Sequence, residues 1–385
     1  MPEPEVDPRL HDALNTVQDP ELKRPLLELG MVHSATLQPD GTAVIEVLLT
    51  ISGCPLRSTI EQDLHRALMP VDGVHRVVVE LGVMTPEQRQ ELKERLGHTR
   101  SIPFADPNSL TRVHAVASGK GGVGKSSVTA NVAAALAARG RHVGVVDADI
   151  HGFSIPGLFG IQRGPTKVDD MILPAVVEVP EAARADQGVP GSVKVISIGM
   201  FTDPATPVVW RGPLLDRAIE QFLADVHFGD LDHLLLDLPP GTGDVAISVA
   251  QKLPQSRVLV VSTPQQAATG IAERAGTLAA MTEQTVAGVV ENMTAMVLPD
   301  GSRLELFGSG GGEQIAQSLT ERMGCPVSVL GSVPLDVALR ESADQGLPVV
   351  WSNPHSPAAT ALTEIAAQID GPRGLSGKSL GVTPR

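Results

Sequence analysis

An eight-residue stretch, Gly119 to Ser126, constrains the fold of this chain more than any other feature of its sequence. It reads Gly-Lys-Gly-Gly-Val-Gly-Lys-Ser and fits the phosphate-loop pattern Gly-x-x-x-x-Gly-Lys-Ser at every fixed position. The residues before it, 113–118, predict a short buried strand, and those after it, 127–139, predict an alanine-rich helix. This strand–loop–helix order is the context in which the motif binds a nucleotide phosphate.

The residue types in this loop suit an anionic ligand. Glycines let the backbone turn tightly enough to aim several N–H groups at one anion, and the positive end of the following helix adds to the attraction. Lys125 is expected to reach the β- and γ-phosphates, and the Ser126 hydroxyl is expected to bind Mg²⁺. The nucleotide-binding residues predicted in this stretch are Gly119, Lys120, Gly121, Gly122, Val123, Gly124, Lys125, Ser126 and Ser127.

Carboxylates follow two further predicted strands. The strand 143–146 runs into Asp147 and Asp149, and the apolar strand 234–236 runs into Asp237. Because the carboxyl ends of parallel strands face the ligand crevice of an open α/β sheet, all three side chains are expected near the phosphate loop. Asp237 is expected to hold Mg²⁺ through water.

The segment that follows Asp237 reads Leu-Pro-Pro-Gly-Thr-Gly-Asp. Its two prolines stiffen the backbone, and the amide of Gly241 can sense the γ-phosphate of a nucleotide. Such a segment works as a switch because contacts with the γ-phosphate hold it in order and hydrolysis releases them.

Strand and helix patterns alternate beyond the phosphate loop. The alternation predicts an α/β fold, a P-loop NTPase with a mostly parallel sheet covered by helices on both faces, preceded by a small α+β domain with three strands. Residues 162–192 lack periodicity and are rich in Pro and charge, so a mobile insert is expected there. The predicted units are the α+β domain, a linker, the ATPase domain and a flexible tail, at residues 1–97, 98–110, 111–370 and 371–385.

Composition excludes several classes of function. The formal net charge is −14 and aromatic residues make up only 2% of the chain, so non-specific nucleic-acid binding is disfavoured. Two cysteines cannot form a disulfide framework, and no apolar run approaches the ~18 residues of a membrane span. The acidic N-terminus lacks the apolar core of a signal peptide. These features predict a cytoplasmic protein that binds neither nucleic acid nor membrane.

The form of the phosphate loop also points to a family. Lys120 is a second lysine that a standard phosphate loop does not need. The Lys-Gly-Gly-x-Gly-Lys-Ser form resembles the deviant Walker loop of dimeric ATPases that include MinD, ParA, nitrogenase iron protein and the Mrp/ApbC iron–sulfur carriers. The segment 237–244, Asp-Leu-Pro-Pro-Gly-Thr-Gly-Asp, is closer to Mrp/ApbC carriers than to ParA or MinD.

This resemblance implies a homodimer that binds ATP and Mg²⁺. In the family the additional lysine, here Lys120, crosses the dimer interface to the nucleotide of the partner. Asp149 would orient the attacking water, and Asp147 would support the shell of the Mg²⁺ ion. The catalytic residues that the resemblance implies are Lys120, Lys125 and Asp149, and the Mg²⁺ ligands are Ser126, Asp147 and Asp237.

Three residues further along match the part of the family site that holds the base. Asn292 directly follows a predicted strand and matches the adenine-reading asparagine, whose amide can donate and accept together. Pro334 and Asp336 match the loop that closes over the base. An asparagine at a strand end is also a common turn former. Arg211 has two possible roles. It contacts a phosphate or a carboxylate of the partner subunit, or it has a structural role as a local cap.

The N-terminal domain resembles the small domain that is found alone in iron–sulfur assembly factors and fused to Mrp-type ATPases. The matching segments are Asp19-Pro20-Glu21, 29–32 and 50–55. Cys54 comes just before a predicted helix N-terminus, where the helix dipole can lower the pKa of a thiol. It is therefore either a reactive or metal-directed thiolate or a small buried apolar residue.

One departure from the family concerns the cluster ligands. Family members that carry a 4Fe–4S cluster have a Cys-Pro-x-Cys segment shortly after the asparagine. Here Leu298 and Gly301 stand at those positions, and neither can ligate iron. Residues 299–301 instead predict a hairpin turn, and Cys325 is expected to be buried and structural. A cluster would then need Cys54, help from Cys325, or ligands from a client protein.

The resemblance implies an ATP-hydrolysing carrier that transfers iron–sulfur clusters to apoproteins, acts as a nucleotide-switched homodimer and meets assembly factors. Two alternatives stay open. One is a cluster-free, nucleotide-dependent assembly or scaffold factor. The other is a positioning ATPase like ParA or MinD, which would need a basic DNA-binding face or a membrane-binding helix, and the tail 371–385 has no apolar face for that purpose.

Overall fold

The computed structural model describes residues 5–50, 56–96, 101–149, 152–184, 190–201, 212–241, 243–265, 279, 282, 284–298 and 300–371. They form a small N-terminal α+β unit and a larger α/β unit. The N-terminal unit contains strands β1 (Glu5–Val6), β2 (Val32–Leu37), β3 (Thr42–Leu49) and β4 (Arg76–Val83), and helices α1 (Pro8–Asn15), α2 (Arg57–Leu68) and α3 (Pro86–Arg95).

Local signals explain where these elements begin. The Asp7 side chain accepts a hydrogen bond from the Arg9 amide at the start of α1, and Thr85 and Gln88 cap α3 reciprocally. The sheet has four strands in the order β1-β2-β3-β4, rather than the three predicted. The additional strand, β1, pairs in parallel with β2 over two residues, which is too short for any periodicity to reveal.

The larger unit is built on eight strands in the order β16-β13-β12-β5-β11-β6-β10-β9. All neighbouring pairs are parallel except β9 and β10. The sheet strands are β5 (Arg112–Ser118), β6 (His142–Asp147), β9 (Ala175–Glu178), β10 (Ser192–Ser197), β11 (His233–Asp237), β12 (Arg257–Ser262), β13 (Thr285–Thr294) and β16 (Val329–Pro334). Two small hairpins are β7 (Thr166–Val168) with β8 (Met171–Leu173), and β14 (Met296–Val297) with β15 (Arg303–Leu304).

Helices cover both faces of this sheet, so the predicted fold class is confirmed. One face packs against apolar side chains of α6, α7 and α8, and the other packs against those of α4, α10 and α11. The helices are α4 (Lys125–Ala138), α5 (Ile155–Leu158), α6 (Gly212–Ala224), α7 (Asp244–Lys252), α8 (Gly311–Met323), α9 (Val337–Asp344), α10 (Val349–Ser352) and α11 (Pro357–Asp370). Among the described residues, no helix has the length and apolar character to span a membrane.

The prediction of a mobile insert at 162–192 is wrong for the residues described there. Residues 166–178 form the β7–β8 hairpin and β9, and a 3-10 helix follows at Glu181–Ala183. Val168, Met171 and Leu173 are buried with the core of the N-terminal unit. Three apolar residues around a tight turn are too few to produce a periodic pattern, which is why the sequence did not reveal the hairpin.

A buried polar cluster lies at the amino end of the sheet. The rings of His114 on β5 and His233 on β11 stack with centroids 5.6 Å apart, and Nε2 of His114 lies 3.4 Å from Nδ1 of His233. Nε2 of His233 lies 3.4 Å from a carboxylate oxygen of Asp370 at the end of α11. A carboxylate can only accept, so His233 donates from Nε2 and accepts at Nδ1 from His114. Within the described residues, Nδ1 of His114 has no hydrogen-bond partner.

Two arginines donate hydrogen bonds to this cluster and enclose it, so that the carboxylate of Asp370 is satisfied within the protein. Arg141 donates from Nε to Asp370 at 2.9 Å, and Arg112 donates to main-chain carbonyls of 369–371. Burial opposes ionisation of Asp370, but hydrogen bonds from Arg141 and His233 outweigh it and lower the pKa of this carboxyl. Burial, with smaller effects from His233 and nearby arginines, lowers the pKa of His114 to about 3, so His114 is neutral.

Candidate functional site

The phosphate loop connects β5 to α4 at the carboxyl end of the sheet. Gly124 has φ +77°, and a Cβ there would lie 2.2 Å from Nδ2 of Asn292, so both backbone and space require glycine. A cleft of about 520 Å³ opens above the loop. Its lining brings together most of the predicted phosphate-end residues: Ser118, Lys120, Gly121, Gly122, Val123, Gly124, Lys125, Ser126, Ser127, Asp149, Gly152, Ser154, Pro239 and Pro240.

Asp237 gathers the polar groups at the base of this cleft. Its Oδ2 accepts from Nζ of Lys125 and from Oγ of Ser126, both at 2.6 Å, and its Oδ1 accepts from Oγ1 of Thr129 at 2.7 Å. All of these groups except Ser126 are buried. Thr129 escaped the sequence analysis, although its place one helical turn after Lys125 was a usable signal.

Asp147 lies beside Asp237, on the neighbouring strand β6, and holds the segment that follows it. Its Oδ2 accepts from the amides of Ser154 and Ile155 at 3.1 and 3.2 Å and from Oγ of Ser197 at 3.1 Å. Burial and the Asp237 carboxylate raise the pKa of Asp147 to about 7. Ser197 was not predicted, because its register opposite Asp147 depends on β10 pairing with β6.

Asp149 contributes a carboxylate to the wall of the cleft. Its amide donates to Oδ1 of Asp147 at 3.2 Å, and its own Oδ1 accepts from the amide of Gly152 at 3.2 Å. Its second carboxylate oxygen has no hydrogen bond in the described part of the chain, and so it can accept from a water molecule in the cleft. Residues Ile150 and His151 lie outside the described residues.

These oxygen donors suit a hard divalent cation. Mg²⁺ is bound in proteins by one or two carboxylates, hydroxyl groups and substrate phosphates rather than by a full protein cage. The hydroxyl of Ser126 and the carboxylates of Asp237 and Asp147 supply this set at the phosphate end of the cleft. Within the described residues, no cluster of three or more His, Cys, Asp or Glu side chains is arranged as a metal site of its own.

Lys120 has a partner within its own chain. Its Nζ donates to Oε1 of Gln265 at 2.6 Å, so the additional lysine of the loop is held next to the end of β12. The main-chain carbonyl of Lys120 accepts from Oγ of Ser118 at 3.1 Å. Gln265 was not predicted, because nothing in its local sequence identifies a lysine partner 145 positions away.

The backbone of the switch segment is bound to the strand before the loop. The amide of Gly241 donates to the carbonyl of Ser118 at 2.8 Å. A γ-phosphate that uses this amide must therefore replace the Ser118 carbonyl as its acceptor. Thr242 lies outside the described residues.

The residues predicted to hold the base are engaged in structural contacts. Asn292 donates from Nδ2 to the carbonyl of Val123 at 2.8 Å, and so it holds the loop from below. Asp336 caps α9 by accepting from the Ala338 amide at 2.9 Å, and it accepts from the Ala358 amide at the start of α11 at 3.2 Å. Pro334 is the last residue of β16. The prediction that these residues contact a base stays untested.

The predicted hairpin stands where the family places its cluster ligands. The amide of Leu298 donates to the carbonyl of Ser302, and the amide of Gly301 donates to the carbonyl of Leu298, both at 2.9 Å. Cys325 is exposed, so its predicted burial is wrong. It follows Gly324, which ends α8 with φ +66° in a surface turn. Cys54 and Arg211 lie outside the described residues.

Comparisons with known proteins agree on both units. A ParA-group model described as "NUBPL iron-transfer P-loop NTPase" matches residues 109–370, and a model described as "Iron-sulfur cluster assembly protein" matches residues 9–81. A Mycobacterium tuberculosis protein named "Iron-sulfur cluster carrier protein" is 53% identical over 384 residues, covering 99% of this chain and 97% of the relative. A Synechocystis protein of the same name is 38% identical over 361 residues, covering 93% and 95%.

A solved structure of an Archaeoglobus fulgidus nucleotide-binding protein in complex with ADP is similar to part of this chain. It is 35% identical, covers 61% of this chain and 86% of its own, and superimposes with a TM-score of 0.49.

Proposed function

Because this chain belongs to the family of iron–sulfur cluster carrier proteins, we propose that it binds and hydrolyses ATP with Mg²⁺ and carries iron–sulfur clusters to apoproteins as a nucleotide-switched homodimer. One observation supports the nucleotide half of the proposal most strongly. Lys125, Ser126 and Thr129 converge on Asp237 beneath the loop, so a cation, a hydroxyl and a carboxylate already share one point.

Binding of ATP replaces internal partners of this cluster by ligand oxygens. Amides of the loop bind the β- and γ-phosphates, and Nζ of Lys125 exchanges Asp237 for phosphate oxygens. Asp237, Asp147 and the Ser126 hydroxyl would hold Mg²⁺ at this end of the cleft. When bound, Mg²⁺ supplies positive charge that offsets the charge of the phosphates.

Hydrolysis then needs a positioned water and stabilised charge. Asp149 accepts a hydrogen bond from the water and orients it. The water oxygen forms a bond to the γ-phosphorus as the bond from phosphorus to the β,γ-bridging oxygen breaks, and ADP leaves with that electron pair. The proton that the water loses passes to an oxygen of the released phosphate. Lys125 and the Lys120 of a partner copy stabilise the charge on the transferred group. Loss of the γ-phosphate returns the Gly241 amide to Ser118, which resets the switch.

In this proposed cycle, the iron–sulfur cluster is the cargo that the protein carries. The family's paired cysteines are replaced here by Leu298 and Gly301, so ligation falls to Cys54 in the N-terminal domain, to the exposed Cys325, or to thiolates of a client. We place the protein in the cytoplasm, where thiols stay reduced and apoproteins are available.

The full cycle is tested with the intact chain under anaerobic conditions. Purified protein is reconstituted with iron and sulfide, its cluster absorbance is recorded, and transfer to an apo-acceptor is followed with and without Mg–ATP. The proposal predicts a bound cluster and transfer that depends on nucleotide. A protein that hydrolyses ATP but gains no cluster absorbance and transfers nothing refutes the carrier role.

The substitution of both ligand positions favours one second candidate function. A cluster-free scaffold would bind assembly factors through its N-terminal domain and release them on hydrolysis. It predicts ATP-dependent capture of a partner that persists in a Cys54→Ala variant, whereas a carrier that uses Cys54 loses its cluster in that variant.

A further inference from the structure

The β7–β8 hairpin belongs to the α/β unit by sequence, but it packs into both units, because Ile172 lies in the core of the α/β unit while the hairpin's other buried apolar side chains lie in the N-terminal core. Val168, Met171 and Leu173 are at most 2% exposed and share a core with side chains of the N-terminal helices and strands. The hairpin's two strands pair with each other, and Ile172 between the buried residues also forms a parallel bridge to Val226 of the α/β unit. The N-terminal unit is therefore completed by residues that arrive from the other side of the linker.

Polar contacts surround Val168, Met171 and Leu173, the buried residues that form the apolar plug of the hairpin. Nε of Arg89 lies 3.1 Å from a carboxylate oxygen of Asp169, and Nζ of Lys93 lies 2.6 Å from one of Asp170, so two basic groups of α3 face two acidic groups of the hairpin turn. On the other side, Thr166 donates from Oγ1 to Oε1 of Glu21 at 2.6 Å. The charges fit in sign and position, which argues for a specific interface.

Both ends of the insertion return to the same carboxylate. On the entering side, the amides of Ser154 and Ile155 at the start of α5 donate to Asp147, and residues 159–165 lead from α5 into β7. On the leaving side, β9 pairs with β10, whose last residue, Ser197, donates to the same Oδ2 of Asp147. Asp147 thus holds both ends of the segment that plugs the N-terminal unit.

We propose that the β7–β8 hairpin links the nucleotide site to the N-terminal domain, so that occupancy of the one changes the stability and exposure of the other. The inference rests on the proposed function, because it takes Mg²⁺ and phosphate as the ligands that change the partners of Asp147. Amides of α5 that lose this carboxylate shift α5, and the hairpin carries the shift into the core beside α3. A cleft of about 640 Å³ between the two units, with Glu21 and residues 159–164 among its walls, changes shape with it.

Hydrogen exchange on the full chain tests this link. Backbone exchange is measured by mass spectrometry with and without Mg–ATP, in the loop (119–126), in the hairpin (166–173) and in α3 (86–95). In the wild type, Mg–ATP slows exchange in the loop and changes exchange in the hairpin and in α3 by about twofold or more.

Matched variants separate the link from general damage. Asp169→Asn with Asp170→Asn removes both charges of the turn, and Asn tolerates the positive φ of +54° that Asp169 has. Met171→Ala shortens the plug itself. The control, Asp63→Asn, breaks an ion pair with Arg66 on α2 that does not contact the hairpin.

The expected pattern is specific to the link. The double Asn variant halves the response of α3 or more, and Met171→Ala abolishes it, while both keep protection of the loop. Asp63→Asn keeps the full response. Loop protection in the wild type without any change in α3 overturns the inference and leaves the proposed function intact. Absence of loop protection overturns both. An unchanged α3 response in the double Asn and Met171→Ala variants also overturns the inference.

Discussion

The two ends of the eight-stranded sheet carry buried polar clusters on the same strands, β5 and β11, with opposite consequences. At the carboxyl end, Lys125 and Asp237 lie at the floor of an open cleft. At the amino end, His114 and His233 are closed in by Asp370 and the arginines around it. A buried polar cluster becomes a site only when a ligand can replace its internal partners.

The pKa shifts of the ionisable groups also differ between the carboxyl-end and amino-end clusters. Burial and Asp237 raise the pKa of Asp147 to about 7, which marks a carboxylate that gains from an added cation. Burial lowers the pKa of His114 to about 3, so the amino end is fixed in one protonation state at neutral pH. The cluster at the carboxyl end is suited to bind a cation. The cluster at the amino end holds helix α11 against the sheet.

The largest expected effect concerns the carboxyl end of the sheet, where the cluster depends on its buried cation, Lys125. Lys125→Ala is expected to lower ATP turnover by about a hundredfold or more, because Lys125 is the buried cation at the floor of the cleft that stabilises the charge on the transferred phosphoryl group. Phosphate release is the measurement, with circular dichroism to verify folding. Lys252→Ala is the control, since Lys252 pairs with Asp216 and Glu220 on the surface. Turnover near the wild-type value in Lys125→Ala would refute the site.

The cluster at the amino end of the sheet is expected to affect stability and not catalysis. Asp370→Asn is expected to lower the free energy of unfolding by about 1.5–3 kcal/mol, because Arg141 and His233 lose a charged acceptor. Turnover per folded molecule should change less than about twofold, since this cluster does not touch the cleft. Urea denaturation and phosphate release measure both. Asp344→Asn, on an exposed pair with Arg340, serves as the control. A large loss of turnover at unchanged stability would contradict this expectation.

The cluster at the amino end also makes stability depend on pH, through His114. The pKa of His114 is about 3 in the folded chain and 6.5 when unperturbed, so the unfolded chain takes up this proton first as the pH falls. Stability is therefore lost on acidification below about 6.5, by about 1.4 kcal/mol between pH 7.5 and 5.5 from this group.

His114→Leu removes that contribution. The variant is expected to lose about 1.4 kcal/mol less than the wild type over the same interval, measured by urea denaturation at both pH values. An identical pH dependence in the two proteins would show that His114 is not held neutral.

The smallest expected effect concerns Lys120. Gln265→Ala removes the internal acceptor of the Lys120 ammonium group. Lys120 becomes free to reach a partner copy, so turnover is expected to rise by about fivefold or less, most clearly at protein concentrations that limit dimer formation. Turnover is measured against protein concentration. A fall in turnover would mean that Gln265 positions Lys120 for catalysis rather than restrains it.

Sequence alone predicted the parts of the site that lie in one motif or at the end of one strand. Lys125, Ser126 and Asp237 could be placed together because the phosphate loop and the carboxyl ends of parallel strands meet at one edge of a sheet. Thr129 lay within reach of the same reasoning, one turn along α4.

The residues that were missed depend on pairing across long separations. Ser197 faces Asp147 only because β10 joins the sheet beside β6 after an insertion, and Gln265 meets Lys120 from another strand end. The burial of Cys325 was predicted wrongly because the proline and strand beyond it hid a surface turn. The β7–β8 hairpin was missed because its apolar residues pack in a core whose first residues lie more than a hundred positions earlier in the chain.

That hairpin has a consequence for any attempt to divide the molecule. Proteolysis or gene splitting at the linker, residues 98–110, would yield two polypeptides but not two independent folding units. The N-terminal fragment would lack Met171 and its neighbours, so part of its core would be exposed. The C-terminal fragment would expose the apolar side chains of the hairpin to solvent. Co-expressed fragments should then find each other again, whereas either fragment produced by itself should be prone to aggregation.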